Sequence, residues 1–116
     1  MNISLEEVES LLRSKEDEHL EFKQAKTSFS FDELVKYSVA LANERGGKII
    51  LGVTDKVPRK IVGTAAFQDL ERSKIGLNQR IPLRIEVEEI LHPDGRVLVF
   101  VIPSRPIGMP IHYEGS

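Results

Sequence analysis

Glu16-Asp-Glu-His-Leu-Glu-Phe-Lys23, Leu41-Ala-Asn-Glu-Arg-Gly-Gly47 and Leu51-Gly-Val-Thr-Asp55 are the three segments on which the reading of this chain turns. In the first, Leu20 and Phe22 alternate with Glu21 and Lys23, the period-two pattern of a half-buried strand over residues 19 to 24. The second closes a helix, because a glycine just past a helix takes the left-handed conformation that ends it at little cost. The third belongs to a nearly continuous apolar run from Lys48 to Asp55, as expected of a central strand covered on both faces. Two strands joined through a helix let Glu16, Glu21, Lys23 and Asp55 converge.

On the N-terminal side, Ser4 and Glu7 have capping-box spacing, and Leu5, Val8, Leu11 and Leu12 recur at helical intervals, which predicts a helix over residues 5 to 14. Ser30 and Glu33 repeat the signal before Leu34, Tyr37, Val39, Leu41 and Ala42, whose breadth marks a core helix. Gly52 inside the third segment signals a bulge or a close approach. Lys60-Ile-Val-Gly63 reads as a short strand, and Thr64 as the cap of a helix over residues 66 to 78. Leu83-Arg-Ile-Glu-Val87 alternates, Pro93-Asp-Gly-Arg96 is turn chemistry, and Val97 to Ile102 returns as an apolar strand, which together make a hairpin. Three prolines between residues 103 and 110 leave an extended segment. The order predicts an α+β fold in two layers, a mainly antiparallel or mixed sheet of about four to six strands with about three helices on it.

The chain's 116 residues, 41% of them hydrophobic, suit one small domain with a single core. Absence of cysteine excludes disulfides and thiolate metal sites, and no apolar run reaches the length of a membrane span. Met1-Asn-Ile-Ser4 lacks the basic and apolar regions of a signal peptide, so a soluble, cytoplasmic chain with no membrane partner is expected. Net charge is −2, yet residues 56 to 116 carry nine bases against seven acids. Arg59, Lys60, Arg72, Lys74, Arg80 and Arg84 form either a local binding stripe or the mixed solvated surface that is common in soluble domains.

Carboxylates brought together from different strands hold oxygen-loving divalent cations for phosphoryl chemistry, and Glu16, Glu21 and Asp55 are the candidates. Lys23 shares a strand face with Glu21 and either neutralises a phosphate or pairs with the carboxylate. Solvated acids at strand ends are the ordinary alternative. Asn43, Gly46 and Gly47 offer backbone amides to an anion, or else serve as a cap and turn. These glycines follow a helix, and Gly46-Gly47-Lys48-Ile49 lacks P-loop order, so ATP is not an expected cofactor. His19, His92 and His112 have no short metal spacing, and no serine sits in a nucleophile elbow. Phe22, Phe31, Phe67 and Phe100 read as core rather than as a stacking platform for bases.

Leu20-Glu-Phe-Lys23, Ala40-Leu-Ala-Asn43 with Gly46-Gly47, Leu51-Gly-Val-Thr-Asp55 and Gly63, in that order, resemble the AlbA_2 domain, also called the Schlafen AlbA_2 or divergent AAA-4 domain, over roughly residues 14 to 113. Asn43, Gly46, Gly47, Gly52 and Gly63 are the motif's structural positions. The resemblance implies a DNA-binding domain at the N-terminus of prokaryotic predicted transcriptional regulators. On that reading the chain is the N-terminal part of a longer protein, and a Tyr-x-Arg-x-Gly motif would lie beyond Tyr113. Vertebrate Schlafen proteins use a similar core as a metal-dependent ribonuclease. By motif, the resemblance places their two glutamates at Glu16 and Glu21 and their aspartate at Asp55, with Mn²⁺ or Mg²⁺ as cofactor.

The leading expectation is therefore a nucleic-acid-binding regulatory domain that engages DNA ahead of RNA through Lys23, Arg59, Lys60 and Arg84. The alternative is a divalent-metal-dependent endoribonuclease with Glu16, Glu21 and Asp55 as catalytic metal ligands. A third is an interaction or homodimerisation module in which Val97 to Ile102 pairs edge to edge.

Overall fold

The computed structural model of the chain describes residues 4–14 and 19–111. Helix α1 (Leu5–Arg13) opens on the expected capping box, with Ser4 Oγ accepting from the Glu7 amide and the Glu7 carboxylate accepting from the Ser4 amide. Strand β1 (Leu20–Lys23) follows, then α2 (Phe31–Asn43), capped by Ser30, and strand β2 (Gly47–Leu51). Helix α3 (Leu70–Arg80) precedes the hairpin of β3 (Glu86–His92) and β4 (Gly95–Ile102).

The four strands form one open mixed sheet in the order β1-β2-β4-β3. β1 and β2 run parallel with Glu21 opposite Ile49 and Lys23 opposite Leu51, and α2 makes the crossover between them. β4 is antiparallel to both β2 and β3. Flanked on both sides, β4 has no free edge, which corrects the expectation that Val97 to Ile102 pairs with a second copy. The free edges belong to β1 and to β3, whose Glu86, Glu88 and Glu89 put charge on that rim.

Period-two alternation divides the sheet's side chains between two faces. Ile49, Leu51, Leu98, Phe100 and Ile102 pack with Leu34, Val35, Val39 and Ala42 of α2 and Leu77 of α3. Phe22, Ile50, Val97 and Val99 point the other way, onto Val8 of α1 and Val53, with Leu11 and Leu12 against them. The sheet and the α2/α3 layer make the main body, and α1 closes the second face. Buried Ser38 within α2 is satisfied by donating to the Leu34 carbonyl at 2.7 Å.

Three boundaries differ from the sequence reading. β2 ends at Leu51, because Gly52 at φ +96° turns the backbone and Lys60 to Gly63 contributes only the single bridge Val53 to Ile61. α3 starts at Leu70 behind Asp69, which accepts from the Arg72 amide. Thr64 instead donates to the Ala25 carbonyl and accepts from the Ala66 amide, tying a loop. β3 begins at Glu86 rather than Leu83, since the Asn78 side chain bonds both the amide and the carbonyl of Ile85 in place of a strand neighbour.

Candidate functional site

The parallel pair β1 and β2 ends at a common edge, where Gly52 donates to the carbonyls of Lys23 and Gln24 while its own carbonyl accepts from Val62 and Gly63. A Cβ on Gly52 would lie 2.6 Å from the Arg96 carbonyl, so that position requires glycine for space as well as for its positive φ. Beyond it the chain makes a loop whose neck is closed by Thr54: its amide donates to the Lys60 carbonyl at 2.9 Å and its hydroxyl accepts from the Lys60 amide at 2.8 Å. These bonds hold the loop and leave its Asp55, Lys56 and Lys60 side chains to solvent.

A cleft of about 570 Å³ opens there, lined by Gln24, Thr54, Asp55, Lys56, Pro58 and Lys60 among others. Asp55, Lys56 and Lys60 are exposed, and neither lysine makes an ion pair among the described residues. Lys23 is half-buried on β1, with its ammonium 4.9 Å from the centroid of the Tyr37 ring. A hydrogen bond to the Tyr37 hydroxyl is the main cause that holds the Lys23 pKa above its ordinary value, and the Coulombic pull of Tyr37, Glu21 and Asp55 adds to it against partial burial. Glu21 and Asp55, from separate segments, both contribute to the field at the Lys23 ammonium. Glu16 lies outside the described residues, and among those described no three His, Asp or Glu side chains group to hold a metal ion.

The four expected contact cations part company. Lys60 lines the cleft and Lys23 lies against Tyr37 on β1, whereas Arg59 is only 7% exposed. Its guanidinium stacks 4.0 Å from the Phe22 ring centroid and donates to the carbonyls of Leu12 and Ser14, at the C-terminus of α1. A cation there satisfies orphan carbonyls and complements the negative end of the helix dipole, so Arg59 pins α1 to the 54–60 loop instead of facing a ligand. Arg84 is exposed beside β3 at the opposite edge of the sheet and pairs with Glu86 at 3.0 Å. Glu86 also binds Lys74 at 2.8 Å, and Arg80 stands 3.9 Å from Asp32. The α3 portion of the basic stripe is thus a mixed surface.

Two roles escaped the sequence reading. Lys56 belongs to the cleft, and its place between Asp55 and the Pro58 turn was the available signal. Arg96 is 14% exposed at its side chain and donates to the carbonyls of Thr64, Ala66 and Phe67 while bonding Glu89 at 2.6 Å, so it organises the approach to α3. Nothing local in Gly-Arg-Val marks that role, which depends on three carbonyls about thirty residues away.

At the other end of β2, the expected glycine cap is displaced by one residue. Arg45, at φ +77°, takes the left-handed position after Glu44, and Gly46 donates to the Leu41 carbonyl at 2.7 Å as the following residue of a Schellman motif. Asn43, the last residue of α2, does not cap its own helix. Its side chain donates to the Ile111 carbonyl at 2.7 Å and accepts from the Ile111 amide at 3.0 Å, holding the C-terminal segment. A Cβ on Gly47 would run into the His19 carbonyl, and Gly63 packs against Gly95, where a Cβ on Gly95 would lie 2.7 Å from the Gly63 Cα. The motif glycines are therefore points of backbone approach.

This open mixed sheet with a parallel β1-α2-β2 unit and glycine-lined crossings defines an α+β domain class. The chain belongs to the Schlafen AlbA_2 family, whose model matches residues 16–115. No curated protein matches it. Among solved structures it is similar to the DIP2311 protein from Corynebacterium diphtheriae, at 25% identity and a TM-score of 0.64 over 90% of this chain. It spans only 22% of that chain. The N-terminal domain of a Nitrosomonas europaea protein named as ATP-dependent DNA helicase RecG-related shares the fold, with 22% identity, a TM-score of 0.63 and coverage of 94% of this chain and 78% of that one. Among the described residues no helix is long and apolar enough to cross a membrane.

Proposed function

We propose that this is a nucleic-acid-binding domain of the kind that serves transcriptional regulators, engaging DNA ahead of RNA, with its phosphate contacts at the carboxyl edge of β1 and β2. The observation that carries the reading is the cleft at which Lys56 and Lys60 stand exposed and without ion pairs, next to Lys23. Family membership supports it, as does the name of the Nitrosomonas relative. Such contacts release counterions, so affinity falls linearly with salt on logarithmic axes, by roughly 0.9 in slope per phosphate neutralised on duplex DNA. Polarisation titrations of labelled duplex and single-stranded oligonucleotides at several salt concentrations test it. The Lys56→Ala/Lys60→Ala double variant should lower the slope by about 2 on duplex, while Arg84→Ala should leave it unchanged. Equal slopes for the double variant and the wild type would remove the cleft as the interface.

A second reading rests on the acidic positions of the family motif, of which Glu21 stands on β1 and Asp55 lines the cleft. Carboxylate oxygens suit Mg²⁺ or Mn²⁺, and the family motif adds Glu16 as a third ligand. A bound ion would supply Lewis acidity toward a phosphodiester. Lys23, positioned by Tyr37, would neutralise phosphate charge beside it. Incubation of structured RNA with Mn²⁺ and wild type or Glu21→Gln decides this reading. Cleavage by the wild type alone sustains it, and equal outcomes for the two proteins end it.

A further inference from the structure

We infer that the amino edge of β2 holds a second, separate anion site, a phosphate-binding cleft built on Arg45 and Arg105. A cleft of about 380 Å³ lies there, lined by Asn43, Arg45, Ser104, Arg105, Ile107 and Gly108, with no carboxylate among the described residues of its wall. The two guanidiniums come from different segments, the end of α2 and the strand-to-tail connection after β4.

Four features favour an anion at this place. Arg45 occupies the left-handed region at φ +77°, where glycine is the economical residue, so the position keeps a costly side chain that the Schellman turn itself does not use. Arg45 makes no ion pair or hydrogen bond among the described residues, and the Arg105 guanidinium reaches only the Pro106 carbonyl, at 3.2 Å. The end of a helix normally repels anions through its free carbonyls, but here those of Leu41 and Ala42 are occupied. Ala40 and Leu41 accept from Glu44, Leu41 also accepts from Gly46, and Ala42 accepts from the Arg105 amide. Asn43 grips Ile111 with both side-chain atoms and the Arg105 amide is tied to α2, so the cleft's two walls are fixed to each other before any ligand arrives. The Gly46 amide is spent on Leu41, which excludes an anion nest at that amide and leaves recognition to the guanidinium forks.

The ligand class is a phosphate group, from a small phosphorylated molecule or from a nucleic-acid backbone. The inference stands apart from the β1/β2 carboxyl-edge reading, because β2 separates the two clefts along its length. Titration of ¹⁵N-labelled protein with inorganic phosphate, against sodium chloride at matched ionic strength, tests it. Saturable shifts are expected at residues 43 to 46 and 104 to 108, weakened at least about tenfold in both Arg45→Gly and Arg105→Gln. Arg45→Gly relieves the backbone, so loss of folding does not confound it, and Lys56→Ala/Lys60→Ala should leave the phosphate response intact. A short oligonucleotide that shifts the same amides identifies a backbone phosphate as the source, whereas a response to phosphate alone identifies a small ligand. Absent saturation, equal shifts with chloride, or full binding by both arginine variants overturns the site.

Discussion

The two ends of β2 carry opposite designs. At its carboxyl edge the backbone of the 54–60 loop is closed by Thr54 and Lys60, and the exposed charges there are of both signs, Asp55 with Lys56 and Lys60. At its amino edge the charged groups described in the cleft wall are the two guanidiniums of Arg45 and Arg105, and the backbone is locked by a Schellman turn, by the Asn43 grip on Ile111 and by glycines that admit no side chain. Charge type, more than charge number, separates the two edges.

The strongest way to break this contrast is at Gly47. Adding a methyl group with Gly47→Ala drives Cβ into the His19 backbone, and the expected cost is upwards of about 3 kcal/mol in urea unfolding. A near-neutral result would show that the amino edge is looser than its contacts imply. Arg59→Ala tests the carboxyl edge. Removal of two charge-assisted hydrogen bonds and the stack on Phe22 should cost about 2 to 3 kcal/mol, with oligonucleotide affinity of the folded protein unchanged. Weaker binding without loss of stability would return Arg59 to the interface.

Asn43→Ala should cost about 1 to 2 kcal/mol and speed hydrogen exchange of the Ile111 amide, because both halves of the grip are lost together. Arg45→Gly has the opposite sign. Release from the left-handed region gains about 1 to 2 kcal/mol, glycine's extra chain entropy opposes it by about 0.5 to 1, and a net stabilisation of roughly 0.5 to 1 kcal/mol should appear as a higher midpoint. The smallest effect belongs to Glu86→Gln. Hydrogen bonds from Lys74 and Arg84 hold the Glu86 carboxyl below its ordinary pKa, so its contribution is present above the unfolded carboxylate pKa and fades as pH falls through the lower folded value. The pair is solvent-exposed, so the variant should differ from wild type only slightly at neutral pH, and the melting temperatures should converge in acid.

Much of the fold was legible because its signals are local. Ser4 with Glu7, Ser30 with Glu33, and the Pro93-Asp94 turn each act within four residues, and each appears, the Ser30 cap through its bond from the Glu33 amide alone. Missed boundaries were set from far away. Ile85 is kept out of β3 by Asn78, and β2 is stopped where Gly52 meets strands and loops from three segments. The candidate site divides in the same way. Glu21 and Lys23 were readable as polar positions on β1, whereas Asp55, expected at a strand end, lies in the 54–60 loop beyond Leu51. Arg59 and Lys60 are neighbours of the same charge sign, yet one is buried under α1 and the other faces solvent, a difference that no local pattern encodes.

By itself, the sequence determined the helix caps, the alternation of β1 and the hairpin, and the family motif, since these depend on residue type at short spacing. Only the tertiary structure decided which cations are structural and which are free, and that the motif's glycines are crossings of backbone. Those outcomes depend on carbonyl groups, which every residue carries alike and whose positions only the folded chain defines.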